Sequence, residues 1–210
     1  MEELGNFTQE DFNIFTIEGL EQRMVGIRNK IQPKFKIIGN NLSKDLSLLI
    51  DDNPLPVHIA QHLRRTKNPP QDTWCAIGGD KRGYKKYPHF QLGLYQSHVF
   101  IWLAFIDNPQ FEKEIAQNFT DNYVAIQNLP SDYVISFDHT KEGVVPINKS
   151  DLSNGLKRWR DIKKVEFLVG RQLSATSPLV KDPQAFYNYI LETYRLLVPL
   201  YKQALQSYPI

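Results

Sequence analysis

Cysteine is nearly absent from this chain of 210 residues, which has Cys75 alone. No intramolecular disulfide can form, and that usage fits a reducing compartment. An excess of either charge is also missing. Lys and Arg number 25 against 23 Asp and Glu, and a net charge of +2 makes no case for nucleic acid unless the cations cluster. The chain lacks a phosphate loop, a dinucleotide fingerprint, a CxxC pair, a calcium loop and a G-x-S-x-G elbow. The acidic start, MEELGNFTQEDF, has no apolar signal-peptide core, so no leader is expected. Twenty residues from Tyr87 to Ile106 carry no Lys, Arg, Asp or Glu, which is long enough to span a bilayer. Pro88, His89, Gln91, Gln96, Ser97 and His98 interrupt them, so the stretch reads as two strands and a turn. A cytoplasmic protein with no membrane partner is expected.

What the chain does contain is an ordinary globular mixture, 41% apolar and 23% charged, with a core rich in its 12 Phe and 10 Tyr. No repeat or linker divides it, so residues 1–210 are expected to form a single domain. Thr8 suits a helix N-cap, with acids in the turn that follows. Phe7, Phe12 and Phe15 would lie on one side of that segment as a docking patch for a partner. Leu20, Met24, Ile27 and Ile31 recur at helical spacing, as do Phe35, Ile38, Leu42, Leu46 and Leu49 after a break near Pro33. Arg23 is placed on the outer face. A turn is expected at 51–54 and a short helix from Pro56 to Arg65. Strands follow at 73–77, 89–95 and 98–106, the last apolar on both faces and therefore central. An Asp107-Asn108-Pro109 cap should open a helix to Asn128; strands at 132–137 and 164–169 flank a helix from Ser150. A long helix from Pro183, interrupted by Pro199, closes the chain. The class is α+β, with a mixed or mainly antiparallel sheet packed against several helices.

The cations do cluster. Residues 58–89 hold Arg64, Arg65, Lys67, Lys81, Arg82, Lys85 and Lys86 against Asp72 and Asp80, leaving the remainder net acidic. Arginine clamps carboxylate or phosphate through paired hydrogen bonds, and Gly83 would let backbone N–H groups approach an anion. A basic cleft formed by residues 58–91 is expected to bind a phosphate-bearing or carboxylate ligand. Arg64, Arg65, Lys81, Arg82 and Tyr84 would line it, with His89 and Gln91 on the adjacent strand face. Tyr84 and Tyr87 could stack bases, which makes nucleic acid the lesser reading.

Histidine offers an alternative. His58 and His62 at i, i+4 would share a helix face, as in HExxH, but the glutamate base of that motif is missing. Together with His89 and His139 they suggest an enzyme acting on an anionic substrate. Asp138 and His139 close a strand, where adjacent side chains point to opposite faces, so a direct pair is not expected. No metal and no cofactor are expected. A protein-interaction module using Phe7, Phe12 and Phe15 is the third reading.

The phrases DFNIFTIEGLEQRM (11–24), HIAQHLRRTKNPPQDTW (58–74), KRGYKKYPHFQLGLY (81–95), HVFIWLAF (98–105) and DHTK (138–141) carry a resemblance. The chain resembles the YktB-like family of uncharacterised bacterial proteins over nearly its whole length. The resemblance implies a small cytoplasmic α+β protein of one domain and supplies no catalytic residues.

Overall fold

A computed structural model describes residues 4–51, 53–107 and 109–209. Asp52 of the expected turn, Asn108 of the expected cap and residues 1–3 of the acidic start lie outside them. The element order runs α1 (Gln9–Asn13), α2 (Leu20–Gly26), α3 (Gln32–Ile50), β1 (Val57–Ile59), β2 (Asp72–Gly78), β3 (His89–Tyr95) and β4 (His98–Phe105). It continues with α4 (Glu112–Asp121), α5 (Val124–Gln127), β5 (Val134–Ser136), β6 (Val145–Pro146), α6 (Leu152–Asp161), β7 (Phe167–Ser174), α7 (Pro178–Lys181) and α8 (Pro183–Leu205). The seven strands form one sheet in the order β1-β2-β3-β4-β7-β5-β6, and every pairing is antiparallel. The α+β reading is borne out.

Periodicity explains most of this. In α3, Phe35, Ile38, Leu42 and Leu46 are fully buried at steps of three and four. Asp182 caps α8 by accepting from the N–H groups of Gln184 and Ala185. Pro33, which has no N–H to give, does not stop the chain. It sits in the first turn of α3, and the preceding Ile27–Ile31 turn opens to a π-helix. Among the described residues no helix is long and apolar enough to cross a membrane.

Three expectations are corrected. The chain after Pro56 is strand β1 rather than a helix, because Val57 and Ile59 find partners in Ile77 and Cys75 of β2. His62 then takes φ +52°, a turn conformation, so His58 and His62 share no helix face. Phe7, Phe12 and Phe15 are not an exposed patch: they are 0–3% exposed and belong to the core, with Phe7 edge-on to Phe35 and Phe186. Arg23 is buried rather than outward, donating to the carbonyls of Ile17 and Pro70.

The two faces of the sheet differ. On one, Cys75, Ile77, Leu92, Ile101, Leu103 and Val169 meet the helices in the main core, with α3 against β1 and β2 and α8 against β4 and β7. On the other, a smaller cluster built on Tyr95, Phe100, Trp102 and Leu168 lies under loops, with Trp74, Tyr84 and Val144 packed against it. Two glycines shape that floor. Phe100 lies across Gly93, its cross-strand partner, so closely that a Cβ there would sit 2.1 Å from the ring. Gly170 faces Trp102 in the register, and a Cβ there would strike the Ile101 carbonyl oxygen. Flat aromatic rings on bare backbone leave space above the sheet for polar side chains.

Candidate functional site

Alternation along the strands places Asp72 and Trp74 of β2, His89 and Gln91 of β3, and Gln172 of β7 on the loop-covered face. A small cavity there, about 10 Å³, is lined by Asp72, Trp74, Gln91, Tyr95, Trp102 and His139, among others. That is room for about one water.

Most polar groups on this face have partners. His89 is fully buried; its Nδ1 lies 2.8 Å from the Tyr87 carbonyl oxygen and its Nε2 2.9 Å from the Gln91 amide nitrogen. That pairing requires the neutral ring with the proton on Nδ1. Burial pushes its pKa down to about 4, and the charges of His58, His139 and Lys85 act in the same sense. His98 sits between the Ser97 hydroxyl and the Gln172 amide, and its pKa is lowered by burial. Tyr95 donates to the His139 carbonyl.

His139 is held differently. Glu166 accepts from its Nδ1 at 2.6 Å and from its backbone N–H at 2.8 Å, and also from the Asp107 N–H at 3.0 Å. Burial works against the imidazolium, but the Glu166 hydrogen bond and charge outweigh it, so the His139 pKa lies above its ordinary value. Asp72, also buried, has no hydrogen bond from its carboxyl to another residue among the described residues. Desolvation pushes its pKa up to about 6, against the opposing charges of His139 and Arg65. Asp138, His139 and Glu166 bring one ligand atom each within 4.8 Å of one another. Both carboxylates of that group already have donors, Asp138 from Thr140 and Lys141 and Glu166 from the three just named. The group therefore presents an oriented imidazole.

Beside the cavity, across Tyr84, lies an open cleft of about 630 Å³ lined by His58, Arg82, Tyr84, Lys85, Lys86 and Tyr87, with Asp80 and Gln110. Such a volume suits a small molecule. The loop that forms it is pinned at several points. Asp80 accepts from the N–H groups of Arg82 and Gly83, His58 Nε2 meets the Asp80 carbonyl, and Tyr208 closes over Tyr87 at 5.5 Å while donating to the Lys86 carbonyl. The Gly83 N–H, expected to face an anion, is thus taken up by Asp80. Lys85 pairs with Asp107 at 2.5 Å, whereas Arg82 and Lys86 make no ion pair among the described residues.

The expected basic residues divide. Arg82 and Tyr84 line the cleft; Lys81 is exposed beside it; Arg64 and Arg65 lie with Thr66, Lys67 and Asn68 around a separate depression. Arg64 nevertheless acts on Asp107, and Arg65 on Asp72 and His62, so residues 64–68 border the same region. Four histidines surround one aromatic pair. His58 and His89 lie 5.6 and 4.7 Å from Tyr84, and His62 and His139 lie 5.7 and 6.2 Å from Trp74. Trp74 Nε1 donates to the Tyr84 hydroxyl at 3.1 Å, making the pair a partition between cleft and cavity. Among the described residues no potential ligand group contains two histidines. Burial holds His62 near a pKa of about 4, helped by the charge of Arg65.

Sequence reasoning missed Asp72, counted only as a charge against the basic cluster, and Glu166. A lone carboxylate between Val165 and Phe167 at a strand start was the available signal for the latter.

Residues 7–201 match the family described as a domain of unknown function, DUF1054. A UPF0637 protein of Shouchella clausii is 49% identical over 205 residues, covering 97% of each chain. Another from Oceanobacillus iheyensis is 44% identical over 204 residues, 97% of this chain and 98% of that one. A third, from Listeria monocytogenes, is 44% identical over 207 residues, 95% of this chain and 98% of its own. These matches bear out the resemblance read from the sequence: the chain belongs to the DUF1054 family.

Proposed function

We propose that the protein binds a small phosphate-bearing or carboxylate molecule in the cleft beside Tyr84, in the reducing, cytoplasmic setting that its lone thiol suits. One observation carries the reading: Arg82 and Lys86, whose side chains make no ion pair among the described residues, belong to a loop fixed by hydrogen bonds around a space of about 630 Å³, with Asp80 the carboxylate on its lining. A pre-organised loop loses less entropy when an anion arrives, and arginine can meet it with two parallel bonds. A nucleic-acid surface is less favoured, because Tyr84 is packed against His89 and bonded to Trp74, and Tyr87 stacks on Tyr208. Each ring already has an aromatic neighbour on one side.

Thermal unfolding at fixed ionic strength, against phosphate, pyrophosphate and acetate with chloride as reference, tests this. A ligand at 100 times its Kd adds about 2.7 kcal/mol to the native state. The stabilisation is expected to vanish in Arg82→Ala/Lys86→Ala and to survive Arg64→Ala, which lies at the other depression. No stabilisation beyond chloride in the wild type would remove the cleft from consideration.

A further inference from the structure

We propose that Asp72 and His139 form a proton-transfer pair, with Glu166 positioning the imidazole, acting on a small anion that carries an acidic C–H beside a carbonyl. The anionic tail of that substrate rests on the cleft reading above; the pair itself does not.

Both residues line the same cavity. Glu166 fixes the His139 ring through Nδ1 and the backbone N–H, leaving Nε2 as the working nitrogen. Nε2 and the Asp72 carboxyl make no hydrogen bond to another residue among the described residues, while the neighbouring His89, Gln91, Tyr95 and Gln172 all do. A buried carboxyl with only its own backbone N–H as donor is costly to keep, and a carboxylate-held imidazole is arranged to exchange a proton at its other nitrogen. The His139 side chain is 24% exposed, so part of the ring meets solvent. With the Asp72 pKa near about 6 and that of His139 raised, carboxylate and imidazolium coexist near neutral pH.

The nearby nucleophiles among the described residues are engaged or buried, Lys141 being paired with Asp138. The Ser136 hydroxyl donates to the Asp138 carbonyl, and Cys75 is buried on the opposite face with its thiol pushed up to about 12. Proton movement is what these side chains offer. The Asp72 carboxylate takes the proton from the substrate carbon while His139 gives its Nε2 proton to the carbonyl oxygen. The C–H electron pair becomes the enol double bond, and a pair from the C=O becomes the new O–H bond. Carboxylate and imidazolium become carboxyl and imidazole, the reverse transfer restores them, and nothing else is consumed. The cavity has room for about one water, so the hydrogen-bonded Tyr84–Trp74 partition is required to open for the reacting end.

Alkylation with iodoacetate and iodoacetamide, mapped by peptide mass spectrometry, tests the pair without a known substrate. Neutral iodoacetamide is expected to modify His139 at least about 10-fold faster than His58, with a pH midpoint that falls in Asp72→Asn as the imidazolium loses a nearby carboxylate. A His139 rate no greater than that of His58, or a midpoint unmoved in Asp72→Asn, overturns the pair. Charge preference reports on the cleft separately: iodoacetate should outpace iodoacetamide in the wild type and lose that lead in Arg82→Ala. Loss of the preference alone contradicts the cleft and leaves the pair standing. Deuterium exchange into 2-oxobutanoate and dihydroxyacetone phosphate, followed by proton NMR, then reads the chemistry. A probe that stabilises the protein should exchange at least about 10-fold above buffer, with the gain lost in folded Asp72→Asn and His139→Gln. Exchange at the buffer rate for a bound probe overturns the assignment.

Discussion

The sheet has two faces built from the same strands under different demands. Toward the helices, alternate residues of β2, β3, β4 and β7 are apolar except Thr73 and Arg171, and the one sulfur among them, Cys75, is inert. Toward the loops, the intervening positions hold Asp72, His89, Gln91, His98 and Gln172 among aromatic rings and glycines. One face stabilises by removing apolar surface from water, and the other keeps titratable groups out of water, some of them at a cost in stability. That asymmetry is what supports the proposal of a site on the loop-covered face, because perturbed buried titratable groups cluster at functional sites.

The sharpest way to break the comparison is to substitute neighbours that point opposite ways. Leu92→Ala, on the helix side, is expected to cost about 2–5 kcal/mol in denaturant unfolding, with little dependence on pH. The loop-covered face should instead respond to acid. His89 is held neutral in the fold, with a pKa of about 4 against an unfolded value of 6.5. Its contribution is fully present above pH 6.5 and is lost as pH falls toward 4, roughly 3 kcal/mol in all. His89→Asn should lower stability at pH 7.5 and flatten that acid limb; an acid limb of unchanged depth in the variant would place the effect elsewhere.

Asp72 has the opposite sign. Its folded pKa of about 6 lies above the unfolded 3.8, so the native state is favoured below pH 4 and loses that advantage as pH rises through 6. Asp72→Asn is expected to gain roughly 3 kcal/mol at pH 7.5 and nothing at pH 3.5, measured by urea unfolding at both. A more stable variant that loses proton-transfer activity is the pattern of a site kept at the expense of stability. The smallest effect concerns Gln91→Ala, which leaves His89 Nε2 without its donor. About 1–2 kcal/mol should be lost at neutral pH, and the His89 midpoint measured by NMR should move.

Much of the fold was legible because two periods dominate it. The strands at 89–95 and 98–105 and the helices carrying Phe35 and Phe186 follow directly from apolar spacing. Residues 56–65 were not legible, since Ile59 and Leu63 at i, i+4 fit a helix as well as Val57 and Ile59 fit a strand. An open edge on β2 decided the outcome. The basic cluster was visible as composition, but composition does not say that Arg82 and Arg64 border different depressions or that Asp80 takes up the Gly83 N–H. Glu166 reaches partners 27 and 59 residues away, a relation that only the folded chain creates. Asp72 looked like an ordinary loop charge because its burial comes from loops that close over the sheet.

The most direct measurement is a carbon-13 NMR titration of the Asp72 carboxyl in the folded protein. A midpoint near about 6 is predicted for a carboxyl held out of water on the loop-covered face beside His139. A midpoint near 4, the ordinary carboxylate value, would mean that the Asp72 carboxyl is hydrated and would contradict the account.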